Sequence, residues 1–171
     1  TLARIDSATV IAGNDLSVHS AAVSVAQAEI ASAVGGLLAI GGENKATATV
    51  APTVTAYARD SNLTAGGDLS VRADAMVIGS TDAVGVSAGA LTVGISDAET
   101  LVTPTVTAYL GGSARTVSAN TLSVLATVTY PTGTYSARSF ASGSSGSLID
   151  RNATTSRSLT AGSVTSYVAD G

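Results

Sequence analysis

The sequence predicts an all-β fold, a β-solenoid (β-helix) built from three repeats of about 53 residues. The segment Pro-Thr-Val-Thr-Ala-Tyr at residues 52–57 returns unchanged at residues 104–109. A Leu-Ser-Val marker begins at Leu16, Leu69 and Leu122, in two equal steps of 53 residues. Self-similarity at a fixed period of this length is the signature of a repeat array rather than of a single globular domain.

The three predicted units span residues 1–57, 58–109 and a divergent 110–171, and together they form one continuous solenoid domain. The third unit carries its extra residues after Val124, because its tyrosine comes 58 residues after that of the second unit. Residues 3–7 parallel residues 58–61 if Ile5 is an insertion. We expect the chain to be cut from a longer array, in register with its own period.

Alternation of side chains defines the predicted strands and their faces. In the second unit Leu69, Val71, Ala73, Ala75 and Val77 point inward. The first unit continues the pattern inward through Leu16, Val18, Ala22, Ser24, Ala26, Ala28 and Ile30. The Ala-rich residues 21–33 would also suit a helix, but the equivalent residues 81–90 are rich in Gly and Val, which favours a strand.

The last strand of each unit alternates most clearly, with Thr and Tyr on one face and Val, Ala, Pro and Leu on the other. Pro52 and Pro104 are expected at a corner, because proline lacks the N–H that a central strand position needs. We expect two or three coils per unit, since solenoid coils commonly run about 20 to 25 residues. Tandem small β-sandwich repeats are the alternative, and small core residues disfavour them.

Composition limits the core and the partners. The 171 residues are 45% hydrophobic but only 4% aromatic, which predicts a thin core of Ala, Val, Ser, Thr and Gly. A net charge of −4 argues against nucleic acid and anionic membranes. The absence of cysteine excludes disulfides and thiolate metal sites. The longest apolar run, residues 30–41, is too short for membrane insertion.

The Val-Thr-Ala-Tyr and Ala-Gly-Gly-Asp-Leu-Ser-Val repeats, each followed by an Ala/Gly/Val-rich tract, resemble those of filamentous-haemagglutinin-like and leukotoxin-like bacterial surface adhesins. The resemblance covers residues 3–109, and the Ser/Gly-rich residues 130–157 depart from it as a loop, a bulged coil or a terminal unit. It implies an extracellular or cell-surface location, a β-helical shaft, and a structural or adhesive role. A polysaccharide-binding module, or less readily a polysaccharide-cleaving one, is the alternative.

Candidate catalytic and metal-binding groups are sparse, which predicts a non-enzyme without cofactor or metal. Asp15 and Asp68 follow Gly-rich turns that resemble half of a calcium-binding nonapeptide, yet the third unit has Thr121 there. Calcium wants six to eight oxygens, so turn roles are favoured. His19 is the one histidine and is expected to be solvated. Asp97 and Glu99 share a strand face, but glycosidase-like chemistry needs a poorly solvated cleft.

The strongest candidate site is a row of Thr and Tyr on one face of the last strands. We predict a ladder of stacked side chains there, with a binding surface for host or matrix glycans as the alternative. An ice-binding array is disfavoured, because only one or two Thr per unit align. Open coil ends predict stacking with neighbouring repeats or with further copies of the chain. The row comprises Thr55, Tyr57, Thr107, Tyr109, Thr165 and Tyr167.

Overall fold

The structure, a computed structural model, describes residues 1–112, 116–133 and 135–169. This part of the chain contains strands and no helix, which confirms the all-β prediction. The strands are β1 (Leu2–Asp6), β2 (Thr9–Ala12), β3 (Leu16–Gly35), β4 (Leu38–Val50), β5 (Thr53–Arg59), β6 (Asn62–Ala65), β7 (Leu69–Val102), β8 (Thr105–Gly111), β9 (Val117–Ser118), β10 (Leu122–Thr129), β11 (Ala137–Thr160) and β12 (Ser163–Val168).

The strands form three open sheets in which the described pairs are parallel. The short sheet has the order β1-β5-β8-β12, and a third sheet has the order β2-β6-β9. The long sheet is centred on β7, with β3 and β4 on one side and β10 and β11 on the other. Parallel pairing between repeats disagrees with tandem β-sandwiches, whose sheets are antiparallel.

Each repeat contributes one layer, and equivalent residues of neighbouring layers pair with each other. Leu69 pairs with Leu16 on one side and with Leu122 on the other. We call residues 9–59 layer 1, residues 62–111 layer 2 and residues 117–168 layer 3. The expectation of two or three short coils per repeat is therefore wrong, because strands pair with partners 52 to 58 residues away. The predicted unit boundaries after residues 57 and 109 fall inside β5 and β8.

Within a layer the long-sheet segment runs away from the short sheet, folds back and then runs toward it again. In layer 2 the outward run covers residues 69–88, about 66 Å at about 3.3 Å per residue. A Cβ on Gly89 would overlap the carbonyl oxygen of Gly36, so glycine permits close stacking of the turns between layers. The hydroxyls of Thr81 and Thr100, on opposite runs, lie 2.9 Å apart, which shows that the two runs face each other across the interior.

The interior is apolar at one end of the layer and hydroxyl-rich at the other. The inward-facing residues predicted for Leu69 to Val77 are confirmed, since each is at most 1% exposed. Val54, Val106 and Ala108 of the short sheet pack against them. Toward the turn, the core narrows to Ala46, Ala83 and Ala98 among buried Thr and Ser side chains.

The strand prediction for residues 21–33 is confirmed, because they lie within β3. β4 ends before Pro52 and β7 ends before Pro104, so both prolines lie in gaps between strands and need no ladder N–H. The strands that these gaps separate belong to different sheets, as a corner requires.

The third repeat absorbs its extra residues in one short segment. Thr129 pairs with Met76 and Ala137 pairs with Gly79, so the seven residues 130–136 stand where layer 2 has two. Residue 134 lies outside the described part. The rest of the Ser/Gly-rich 130–157 region belongs to β11, which pairs with β7 from Ala137 to Thr160.

Candidate functional site

The predicted Thr/Tyr row lies on the outward face of the short sheet. Register places Thr55, Thr107 and Thr165 in one column, and the tyrosines two residues further along each strand form the next. The row faces outward because alternate residues of the same strands, such as Val54 and Ala56, are fully buried inside.

The three tyrosine rings form a continuous stack. The ring centroids of Tyr57 and Tyr109 are 4.8 Å apart with planes inclined by 9°, and those of Tyr109 and Tyr167 are 5.2 Å apart with an inclination of 3°. These distances match the spacing of about 4.7–4.9 Å between neighbouring strands. Each ring therefore covers the face of the next, and Tyr57 is only 8% exposed while Tyr167 is 44% exposed.

Two arginines and an aspartate extend the stack at the β1 end. Arg4 pairs in register with Tyr57, and a hydrogen bond with Tyr57 is the main cause of the raised pKa of Arg4. The Arg59 guanidinium lies 5.6 Å from the centre of the Tyr57 ring. Arg59 also donates to both carboxylate oxygens of Asp6, over 2.9 and 3.1 Å. This bidentate pair lowers the pKa of Asp6.

The expectation that Ile5 is an insertion is wrong, and with it these neighbours could not be predicted. The register needs no insertion: Ala3 pairs with Ala56, and Ile5 pairs with Ala58. Counting strictly by the 53-residue step would have placed Arg4 on Tyr57.

The hydroxyl of Tyr109, the middle ring of the stack, remains protonated at neutral pH. Burial is the main cause of the raised pKa of Tyr109, and the neighbouring Tyr57 adds to it. Tyr109 thus adds a neutral hydroxyl group to the row.

This geometry favours a structural ladder over a glycan surface. Sugars stack on exposed aromatic faces, and here the faces of Tyr109 are covered by Tyr57 and Tyr167. The open ring face of the stack is that of Tyr167, at the edge of the sheet. A saccharide would find one aromatic platform there rather than three.

The carboxylate of Asp15, in the first Gly-rich turn, bonds to the backbone of the equivalent turn. The Oδ1 atom of Asp15 accepts a hydrogen bond of 2.8 Å from the N–H of Asp68 in the next layer. The described residues contain no group of three or more His, Asp or Glu side chains that could hold a metal ion. Asp15 therefore joins one turn to the next.

His19 is exposed, as the sequence predicted, and its side chain also has a charged partner. Its Nε2 atom lies 2.8 Å from Oδ2 of Asp74, and Nε of Arg72 donates to the same oxygen over 2.5 Å. Burial alone would raise the pKa of Asp74, but the hydrogen bonds from Arg72 and His19 outweigh it and the pKa is lowered. The interaction links layer 1 to layer 2.

The carboxylates of Asp97 and Glu99 each pair with a cation of a different layer. Nζ of Lys45 in layer 1 lies 3.7 Å from Asp97, and Nη1 of Arg157 in layer 3 lies 3.6 Å from Glu99. The two acids thus join layer 2 to both of its neighbours. A cavity of about 330 Å³ elsewhere is lined mainly by small and apolar residues, including Leu63 and Leu110, and none of its described lining residues is a carboxylate.

No helix in the described part of the chain is long and apolar enough to cross a membrane. No family model, curated protein or solved structure matches the chain.

Proposed function

We propose that this chain is a non-enzymatic structural segment of a bacterial β-solenoid, a stack of layers that forms a shaft or extracellular filament. One observation carries the proposal: layer 2 buries several inward side chains whose equivalents in layers 1 and 3 are partly open. Leu69 is 1% exposed, whereas its layer-3 equivalent Leu122 is 41% exposed and Leu16 of layer 1 is half-buried. This core position is fully buried only in the layer that has a layer on each side.

The backbone supports the same conclusion. Within the described residues, β3 and β4 form one edge of the long sheet, and β10 and β11 form the other. Each edge strand has a row of N–H and C=O groups without a strand partner, and long open edges of this kind pair readily with further strands. More layers, from the same polypeptide or from other copies, would satisfy both edges.

The dimensions also require more layers for a shaft. Three layers at about 4.8 Å each are about 14 Å high, while the outward run alone is about 66 Å long. The present segment is therefore wider than it is tall. Surface export and an adhesive role rest on the resemblance of the repeats to bacterial adhesins.

Duplication of one layer tests the proposal. A second copy of residues 58–109 inserted after residue 109 should add one layer, because Tyr57 and Tyr109 occupy equivalent places. We expect a higher unfolding midpoint, since each added layer contributes a new interface, and X-ray scattering should show growth by about 4.8 Å in one dimension only.

The matched control carries Val71→Asp in the inserted copy alone, which would bury an unpaired charge in the new layer. Its unfolding midpoint should lie below that of the plain duplication. An unchanged midpoint in the plain duplication, with a shape of separate beads, would refute the stacked shaft.

A further inference from the structure

We propose that copies of this chain join head to tail by strand exchange, in which β12 of one copy replaces β1 beneath β5 of the next. The partner is thus a second copy of the same chain. This inference rests on the proposed function, because it specifies how open edges of the stack would meet.

The two strands occupy equivalent places in the repeat. Leu2 of β1 pairs with Thr55, and Thr55 belongs to the same column as Thr107 and Thr165 of β12. β1 therefore takes, beside β5, the place of a strand from a further layer. The long sheet has no described strand in that further layer, so β3 and β4 remain an open edge. If the long sheets of two copies join without a gap, β1 of one and β12 of the other compete for a single position.

β12 offers β5 a better-matched surface than β1 does. In the exchanged arrangement the open ring of Tyr167 would stack on Tyr57, at the spacing seen for the two existing pairs, and the ladder would cross the junction unbroken. β1 has five residues and, in the described part, pairs with β5 alone. The ion pair that helps to hold it, Asp6 with Arg59, is partly exposed and so contributes weakly.

The charges of the two joining layers are complementary. Among its described residues, layer 3 carries three arginines and one carboxylate, a net charge of +2. Layer 1 carries three carboxylates, one lysine and one arginine, a net charge of −1. Electrostatic attraction therefore favours a junction between the layer-3 edge of one copy and the layer-1 edge of another. Two layer-3 edges would instead repel each other.

The columns show where the opposite charges would meet. Arg138 shares a column with Ser80 and Gln27, so the junction would place it diagonally to Glu29. Arg151 shares a column with Val93 and Ile40, so the junction would place it diagonally to Glu43, which pairs with Ile95. Diagonal neighbours on adjacent strands are within reach of long side chains.

One junction position is repulsive. Arg157 would face Thr47 directly and Lys45 diagonally. The junction thus has two attractive charge pairs and one like-charge pair.

A pair of cysteines in the cysteine-free chain tests the junction. Thr55 and Thr165 are separated by β8 within one copy, about two strand spacings or 9.6 Å, which is too far for a disulfide. Across the proposed junction they are adjacent. Mild oxidation of the Thr55→Cys/Thr165→Cys variant should therefore give a ladder of disulfide-linked multimers on a non-reducing gel.

Three controls interpret the gel. Each single-cysteine variant can form no disulfide-linked species larger than a dimer. The Thr55→Cys/Thr107→Cys variant joins adjacent strands of one copy, so it should oxidise to a monomer. If the test variant forms nothing larger than the single-cysteine variants do, the head-to-tail junction is wrong.

A lock tests the exchange itself. An oxidised Leu2→Cys/Thr55→Cys variant fixes β1 to β5, so light scattering should find it monomeric, with assembly restored on reduction. Equal assembly in the locked and reduced forms would overturn strand exchange but leave stacking intact. No assembly in either form, together with a taller duplicated chain, would refute self-joining while the proposed shaft stands.

Discussion

Replacing the middle ring of the tyrosine stack should cost more stability than replacing a ring at its end. Tyr109 stacks on two rings, whereas Tyr167 stacks on one. Each aromatic pair contributes about 0.5–1.5 kcal/mol beyond area burial. We therefore expect Tyr109→Ala to lose about 1–3 kcal/mol from stacking and Tyr167→Ala about half as much.

Urea unfolding followed by far-ultraviolet circular dichroism measures this difference, at a protein concentration low enough to prevent assembly. With a denaturant slope of about 2 kcal/mol per molar urea, a loss of about 2 kcal/mol moves the midpoint by about 1 M. Tyr109→Phe is the matched control, because it keeps the ring and removes the hydroxyl. A loss for Tyr109→Ala no larger than for Tyr167→Ala, or as large for Tyr109→Phe as for Tyr109→Ala, would refute the stacking argument.

Three further predictions concern the interior and one ion pair. Gly79→Ala should cost about 1–3 kcal/mol by overpacking, because its Cβ would lie 2.6 Å from a methyl group of Thr100, whereas Gly146→Ala enters open space and should change the unfolding midpoint little. Thr100→Val should cost about 1–3 kcal/mol by leaving the Thr81 hydroxyl without its partner, and a double-mutant cycle with Thr81→Val should show a combined cost below the sum. The hydrogen bond with Arg59 is the chief cause of the lowered pKa of Asp6, so the ionised carboxylate stabilises the fold at pH values above its unfolded pKa of about 3.9. In acid titrations of stability, the advantage of wild type over Asp6→Asn should therefore vanish as pH falls through the lowered pKa.

The sequence predicted the strands and their faces well, because alternation is a local property. The alternate residues from Leu69 to Val77 that the sequence predicts to point inward are the ones that the structure buries. The period was also readable, since repeated side chains pair with their own equivalents.

The fold-back of each layer was not predictable in the same way. Gly79, Gly85 and Gly89 look alike in the sequence, but a Cβ on Gly79 or Gly85 would meet side chains of the opposite run, and one on Gly89 would overlap the backbone of the turn below. What distinguishes these glycines is which residues they contact. Those residues lie 40 to 60 positions away in the sequence or on the opposite run, so no local sequence pattern identifies them. The same holds for the pairs of Arg59 with Asp6 and of Arg157 with Glu99, which require the register between layers.

The single-layer repeat has a mechanical consequence. β7 pairs with long stretches of both neighbouring layers, and its hydrogen bonds to them lie along the stacking axis. A tensile force applied evenly along that axis acts on all the hydrogen bonds between two layers at once, so rupture requires many of them to break together. A pull at one end of a layer instead opens them one after another. Such a stack should resist tension along its length and yield to peeling from its side.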